Sequence, residues 1–103
     1  MGLCLKITSN ILYSAPQSSI SAITSIELSS IDLQECPDVS PFSSLTALNL
    51  SANAIIQLSP SLFDLTSLLY LNVNRNAIHI LQPEISRLVN LRELHIRDNQ
   101  LRR

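Results

Sequence analysis

The chain has 103 residues, which is enough for one domain of ordinary size. Seven basic and eight acidic residues give a formal net charge of −1, and this balance argues against nucleic acid or an anionic membrane as a partner. Hydrophobic residues make up 46% of the chain but aromatic residues only 4%, so the core must be built mainly from aliphatic side chains.

One pattern of aliphatic residues recurs five times along the chain. The first copy, residues 2–10, is the weakest because Gly2 stands where the later copies have Leu or Ile. The second copy, residues 23–31, ends in Ile31 where the others end in Asn. The last three superpose directly and cover residues 45–53, 68–76 and 91–99. Each copy is predicted to form one strand.

The third copy shows why a strand is expected. Leu48 and Leu50 alternate with Asn49 and Ser51, so one face is apolar and the other polar. Stacked copies would form a parallel sheet, because no single repeat can bury its apolar residues alone. The expected buried columns are Leu5, Ile26, Leu48, Leu71 and Leu94; Ile7, Leu28, Leu50, Val73 and Ile96; and Leu12, Leu33, Ile55, Ile78 and Leu101.

A column of asparagines follows the strands. An amide side chain can satisfy backbone donors and acceptors where the chain turns out of the sheet. The predicted ladder consists of Asn10, Asn53, Asn76 and Asn99. Ile31 interrupts it, so we expect an irregular turn there, and the proline-containing segment 34–44 is too broken for a regular helix.

The two connections that follow are more regular. Residues 58–65 and 81–88 each place a proline near the start and apolar residues at helical spacing after it. They predict short helical turns on the side opposite the strands.

The pattern L-x-x-L-x-L-x-x-N-x-L resembles the leucine-rich repeat family. The resemblance implies an α/β solenoid with a short curved parallel sheet of about five strands and a convex side of helical turns and irregular loops. The 23-residue copies are most similar to the intracellular Ras-suppressor and scribble-type arrays, although the Leu-Pro pair of those repeats is Leu-x-Pro here. We expect one array over residues 1–103, a fragment without caps.

The resemblance also implies a binding surface on the concave strand face. The second and third copies offer small side chains there, whereas the fourth and fifth offer tyrosine and arginine, which often anchor protein interfaces. The predicted partner-binding residues are Tyr70, Asn72, Asn74, Arg75, Arg92, Glu93, His95, Arg97 and Asp98. A solvated face with ordinary surface charges is the competing interpretation.

The functional hypothesis is therefore a module that binds a protein partner. The alternative is a regulatory or targeting segment of a larger kinase, GTPase or cyclase. A second copy of the chain, meeting an uncapped end, is another expected partner.

Catalysis, metal binding and cofactors are not expected. His95 and Asp98 have no neighbouring third ligand or activated nucleophile in the pattern, and His79 falls in the turn region beyond the strand. Cys4 and Cys36 are too few for a secreted disulfide scaffold, and no apolar stretch resembles a signal peptide or a membrane span. The expected location is the cytoplasm.

Overall fold

The computed structural model describes residues 3–6, 23–39 and 41–101. Within these ranges five strands form one parallel sheet in chain order, which confirms the predicted fold class. The strands are β1 (Leu3–Lys6), β2 (Ile23–Glu27), β3 (Ala47–Asn49), β4 (Tyr70–Asn72) and β5 (Glu93–His95). Each lies inside its predicted range and is shorter than it. After β2 to β5 the backbone soon turns away through a residue with positive φ.

The register of the sheet follows the repeat. Leu48 pairs with Leu71, and Leu71 pairs with Leu94, so the predicted leucine column is one continuous stack. Ile26 and then Leu5 continue it toward the N-terminus. Between β1 and β2 the register shifts by one residue at Leu3/Cys4, in the copy whose pattern is weakest.

The core lies between the sheet and the connecting segments. All predicted column residues of the second, third and fourth repeats are buried, and Phe42 and Phe63 join them. The predicted members at positions 7 and 12, like Asn10 of the ladder, lie outside the described residues.

The expectation of a buried core was wrong for the last repeat. Leu94 and Ile96 are only partly buried, and Leu101 is 44% exposed. In the described part of the chain β5 has a strand neighbour on one side only, so its apolar side chains are covered from one side.

The predicted helical turns are 3₁₀ helices at Pro60–Asp64 and Pro83–Arg87. Proline fits the start of each because its missing N–H is not needed in the first turn. The first helix buries Leu62 and Phe63, whereas the second buries none of its residues. As the sequence indicated, residues 34–39 and 41–44 contain no helix.

Candidate functional site

The asparagine side chains fix the turns that follow the strands. The Oδ1 atom of Asn76 accepts the N–H of Ile55 at 3.1 Å, in the preceding repeat. Its Nδ2 atom donates to the carbonyl oxygens of Leu50 and Val73, both at 3.0 Å. Asn53 and Asn99 repeat this arrangement. One amide therefore links two successive turns and holds the ends of neighbouring strands in register.

The turn at Ile31 differs from the others. Every later turn has one residue with positive φ, at Ala52, Arg75 or Asp98, whereas this turn has two, at Ser30 and Asp32. The Oδ1 atom of Asn53 accepts N–H groups from both Ile31 and Leu33, at 3.2 and 2.9 Å. The asparagine of the next repeat thus supports the turn in which the ladder residue is missing.

The predicted partner-binding residues lie together on the side of the sheet that faces away from the core. We call this set of side chains in the fourth and fifth repeats the polar strand face. None of them is buried. Its members are Tyr70, Asn72, Asn74, Arg75, Arg92, Glu93, His95, Arg97 and Asp98.

A pair of rings occupies the middle of the polar strand face. The centroids of Tyr70 and His95 are 5.2 Å apart, and the rings are tilted by 48°. They meet diagonally, because Tyr70 is registered with Glu93 and Asn72 with His95. Asn72 donates from Nδ2 to Tyr70 Oη at 3.1 Å, and His95 Nε2 lies 3.3 Å from Glu93 Oε1. Each ring is therefore held by a polar neighbour while the pair stays accessible.

The two asparagines of the face also brace the backbone. Asn72 Oδ1 accepts the N–H of Asn74 at 3.0 Å, and Asn74 Oδ1 accepts the N–H of Arg97 at 2.6 Å. Much of their hydrogen-bonding capacity is thus used inside the protein. Asn72 and Asn74 remain predicted partner-binding residues, and their internal hydrogen bonds add a supporting role beside the rings and the arginines.

Three arginines flank the ring pair. Arg75, Arg92 and Arg97 are exposed, and none of their side chains forms an ion pair with a described residue. By contrast, Arg87 on the second 3₁₀ helix pairs with Asp64 on the first at 2.6 Å. The backbone N–H of Arg75 donates to the carbonyl of Arg97 at 2.9 Å, so these two arginines lie on adjacent turns.

A cavity that the sequence did not predict lies away from the polar strand face. It has a volume of about 500 Å³ and lies between the loops that follow β2 and β3, lined by Gln34, Glu35, Cys36, Ile56, Gln57 and Ser59 among others. Burial raises the pKa of the Cys36 thiol from 9.0 to about 11, so the thiol stays protonated near neutral pH. The only feature of the sequence that pointed to this region was the irregular proline-containing segment 34–44, which supplies part of the cavity lining.

Two further findings concern chemistry and membranes. In residues 3–6, 23–39 and 41–101, no group of three His, Cys, Asp or Glu side chains is placed to hold a metal ion. No helix in the same ranges has the length and apolar character to cross a bilayer. His79 lies off the polar strand face, where its backbone N–H donates to the carbonyl of Ile56.

Comparison with known proteins agrees with this architecture. The family model described as leucine rich repeat matches residues 43–101. The crystal structure of an internalin from Listeria monocytogenes aligns with a TM-score of 0.64 and 29% sequence identity, over 94% of this chain and 26% of the internalin chain. The chain thus spans about a quarter of that structure. No curated protein matches it significantly. With more than half of its length matched by the family model, the chain belongs to the leucine-rich repeat family.

Proposed function

We propose that this chain is a protein-interaction module that holds a protein partner on its polar strand face. Leucine-rich repeat domains generally mediate protein–protein interactions. The observation that carries the proposal here is the Tyr70–His95 ring pair, which is accessible, held by hydrogen bonds and set on a sheet. Aromatic side chains fixed in place lose little conformational entropy when a partner covers them.

The small side chains on the strand faces of the second and third repeats also support placing the binding site on the fourth and fifth repeats. Ser25 and Ala47 occupy the register positions of Tyr70, and the carboxylate of Glu27 accepts a hydrogen bond from Ser29 Oγ at 2.7 Å. These repeats offer little area to bury and few unused polar groups. Binding energy is therefore expected to concentrate in the fourth and fifth repeats.

The alternative, a regulatory or targeting segment of a larger enzyme, has no specific support among the described residues. The interaction module is accordingly the function that we retain. Leucine-rich repeat folds are typically non-enzymatic binding modules, which fits this choice.

We also propose that the array belongs to the intracellular Ras-suppressor and scribble-type group and works in the cytoplasm. The 23-residue spacing of the last three repeats and the unpaired thiol of Cys36 support this. A fluorescent fusion of the full protein that enters the secretory pathway would contradict the proposed location.

The proposed function can be tested without knowing the natural partner. Random peptides of about twelve residues, displayed on phage, would be selected for binding to the folded chain and then measured in solution. We expect the double variant Tyr70→Ala with Arg97→Ala to weaken the selected peptides by at least about tenfold, because it removes both kinds of anchor. Ser29→Ala should change their affinity by less than about twofold.

Circular dichroism and thermal melting of each variant provide the folding control. The three substituted positions, Ser29, Tyr70 and Arg97, are exposed or partly exposed, so the fold should be retained. Equal peptide binding by the double variant and by Ser29→Ala would count against the proposed function.

A further inference from the structure

We propose that the partner presents an acidic, extended segment to this surface, with one large apolar side chain on the Tyr70–His95 pair. This inference rests on the proposed function and specifies the chemistry of its partner. Three features of the polar strand face support it: arginines without an ion pair among the described residues, the spacing of these arginines, and the exposure of the two rings.

The charges on the polar strand face do not balance. Arg75, Arg92 and Arg97 have no ion pair among the described side chains. Of the two carboxylates on the same face, Glu93 already contacts His95, and Asp98 forms no ion pair with a described residue. The chain as a whole carries −1, so this positive excess is local. A guanidinium left without a partner on a binding face favours a carboxylate from outside.

The spacing of the arginines defines the shape of the segment. Arg75 and Arg97 lie on adjacent turns joined by a backbone hydrogen bond, so their side chains start about 5 Å apart. Arg92 directly precedes β5, at the other end of the strand from Arg97. Five residues separate the two arginines, which corresponds to about 16 Å along an extended chain. A partner strand of about five residues would thus reach both ends.

The ring pair lies between Arg92 at one end of the polar strand face and Arg75 and Arg97 at the other. Tyr70 is partly exposed, and the His95 side chain is 40% exposed. Two tilted rings offer a flat apolar surface on which a large apolar or aromatic side chain can pack. The matching partner sequence therefore has acidic residues on both sides of one large apolar residue.

A nucleic acid fits this surface less well than a peptide. Glu93 and Asp98 lie among the three arginines, and they would repel a continuous row of phosphates. Individual carboxylates on a peptide can avoid these two positions. The observations therefore favour an acidic protein segment.

The experiment uses the full chain and two matched charge reversals. Arg97→Glu changes the polar strand face, whereas Arg87→Glu makes the same change on the second 3₁₀ helix, where the exposed pair with Asp64 contributes little to stability. Peptides selected on the unmodified chain would be sequenced and their affinities measured for both variants. A single-stranded oligonucleotide of about twelve nucleotides serves as competitor.

We expect the selected peptides to be rich in Asp and Glu around a large apolar residue. Arg97→Glu should weaken them by at least about tenfold and Arg87→Glu by less than about twofold. Higher salt should also weaken binding, because the charges on this face are exposed.

Two kinds of result would overturn the inference. Peptides that depend on Tyr70 but show no acidic excess, or bind Arg97→Glu as well as the unmodified chain, would refute the acidic partner and leave the proposed function intact. Preferential binding of the oligonucleotide would refute it as well. Peptides insensitive to both Tyr70→Ala and Arg97→Glu would refute the inference and the proposed function together.

Discussion

Asn76 shows how one polar side chain can hold an aliphatic repeat together. It is 8% exposed, and its amide bonds backbone groups of two successive turns. Asn72 has the same chemical group but lies on the polar strand face, where water can replace its partners. The cost of losing an amide is therefore set by its position.

Replacing Asn76 by Ala should lower the free energy of unfolding by about 2 to 4 kcal/mol, because several backbone groups would be left without a partner in the interior. Asn72→Ala is the matched control and should cost less than about 1 kcal/mol. Urea unfolding followed by circular dichroism measures both values. Similar losses in the two variants would show that the ladder does not stabilise the fold in this way.

The two 3₁₀ helices are the same element in two settings. Both begin at a proline and span five residues, yet only the first buries side chains. Leu62 and Ile85 occupy corresponding positions; Leu62 is fully buried, and Ile85 packs only partly against the core. Among the described residues, the first helix lies between the loop that follows β2 and the second helix, whereas the second helix has such a neighbour on one side only, which accounts for the difference.

Leu62→Ala should destabilise the protein by about 3 to 5 kcal/mol, since it leaves a cavity in a fully packed site. Ile85→Ala should cost only about 1 to 2 kcal/mol, because water already reaches part of that side chain. Thermal or urea unfolding of the two variants tests the difference. A larger loss from Ile85→Ala would contradict the packing described here.

At the scale of the whole molecule, stability depends on stacking. Each repeat contacts its neighbours, and burial falls from the middle of the array to the fifth repeat. The polar strand face includes residues from both sides of this change in burial: Tyr70 lies on the well-packed β4, and His95 lies on the less buried β5. Partner binding should therefore also stabilise the fifth repeat.

Hydrogen exchange can measure the expected fall in local stability toward the fifth repeat. Two backbone amides at the same position in successive repeats allow the comparison. The N–H of Leu50 bonds to Asn72, between β3 and β4, whereas that of Val73 bonds to His95, between β4 and β5. Opening of the last repeat alone would expose the second bond and not the first. The amide of Val73 should therefore exchange faster than that of Leu50 in an NMR experiment. Equal protection would mean that the array opens only as a whole.

The sequence by itself determined the repeat, the strand positions and the register. Leu48, Leu71 and Leu94 recur at a fixed spacing, and a stacked parallel sheet is the arrangement that buries all three columns together. It also indicated the helical turns, because proline and apolar spacing are local signals.

Only the tertiary structure decided how the side chains use that framework. The contact between Tyr70 and His95 and the bond from the Arg97 N–H to Asn74 join residues 23 or more apart. The local bond between Asn72 and Tyr70 depends on the rotamers of both side chains, and the exposure of Leu101 depends on its place in the last described repeat. The cavity beside Cys36 likewise arises between two loops of different repeats. A repeat pattern fixes which residues share a column, whereas rotamers, hydrogen-bond partners and burial follow from the particular side chains in adjacent columns.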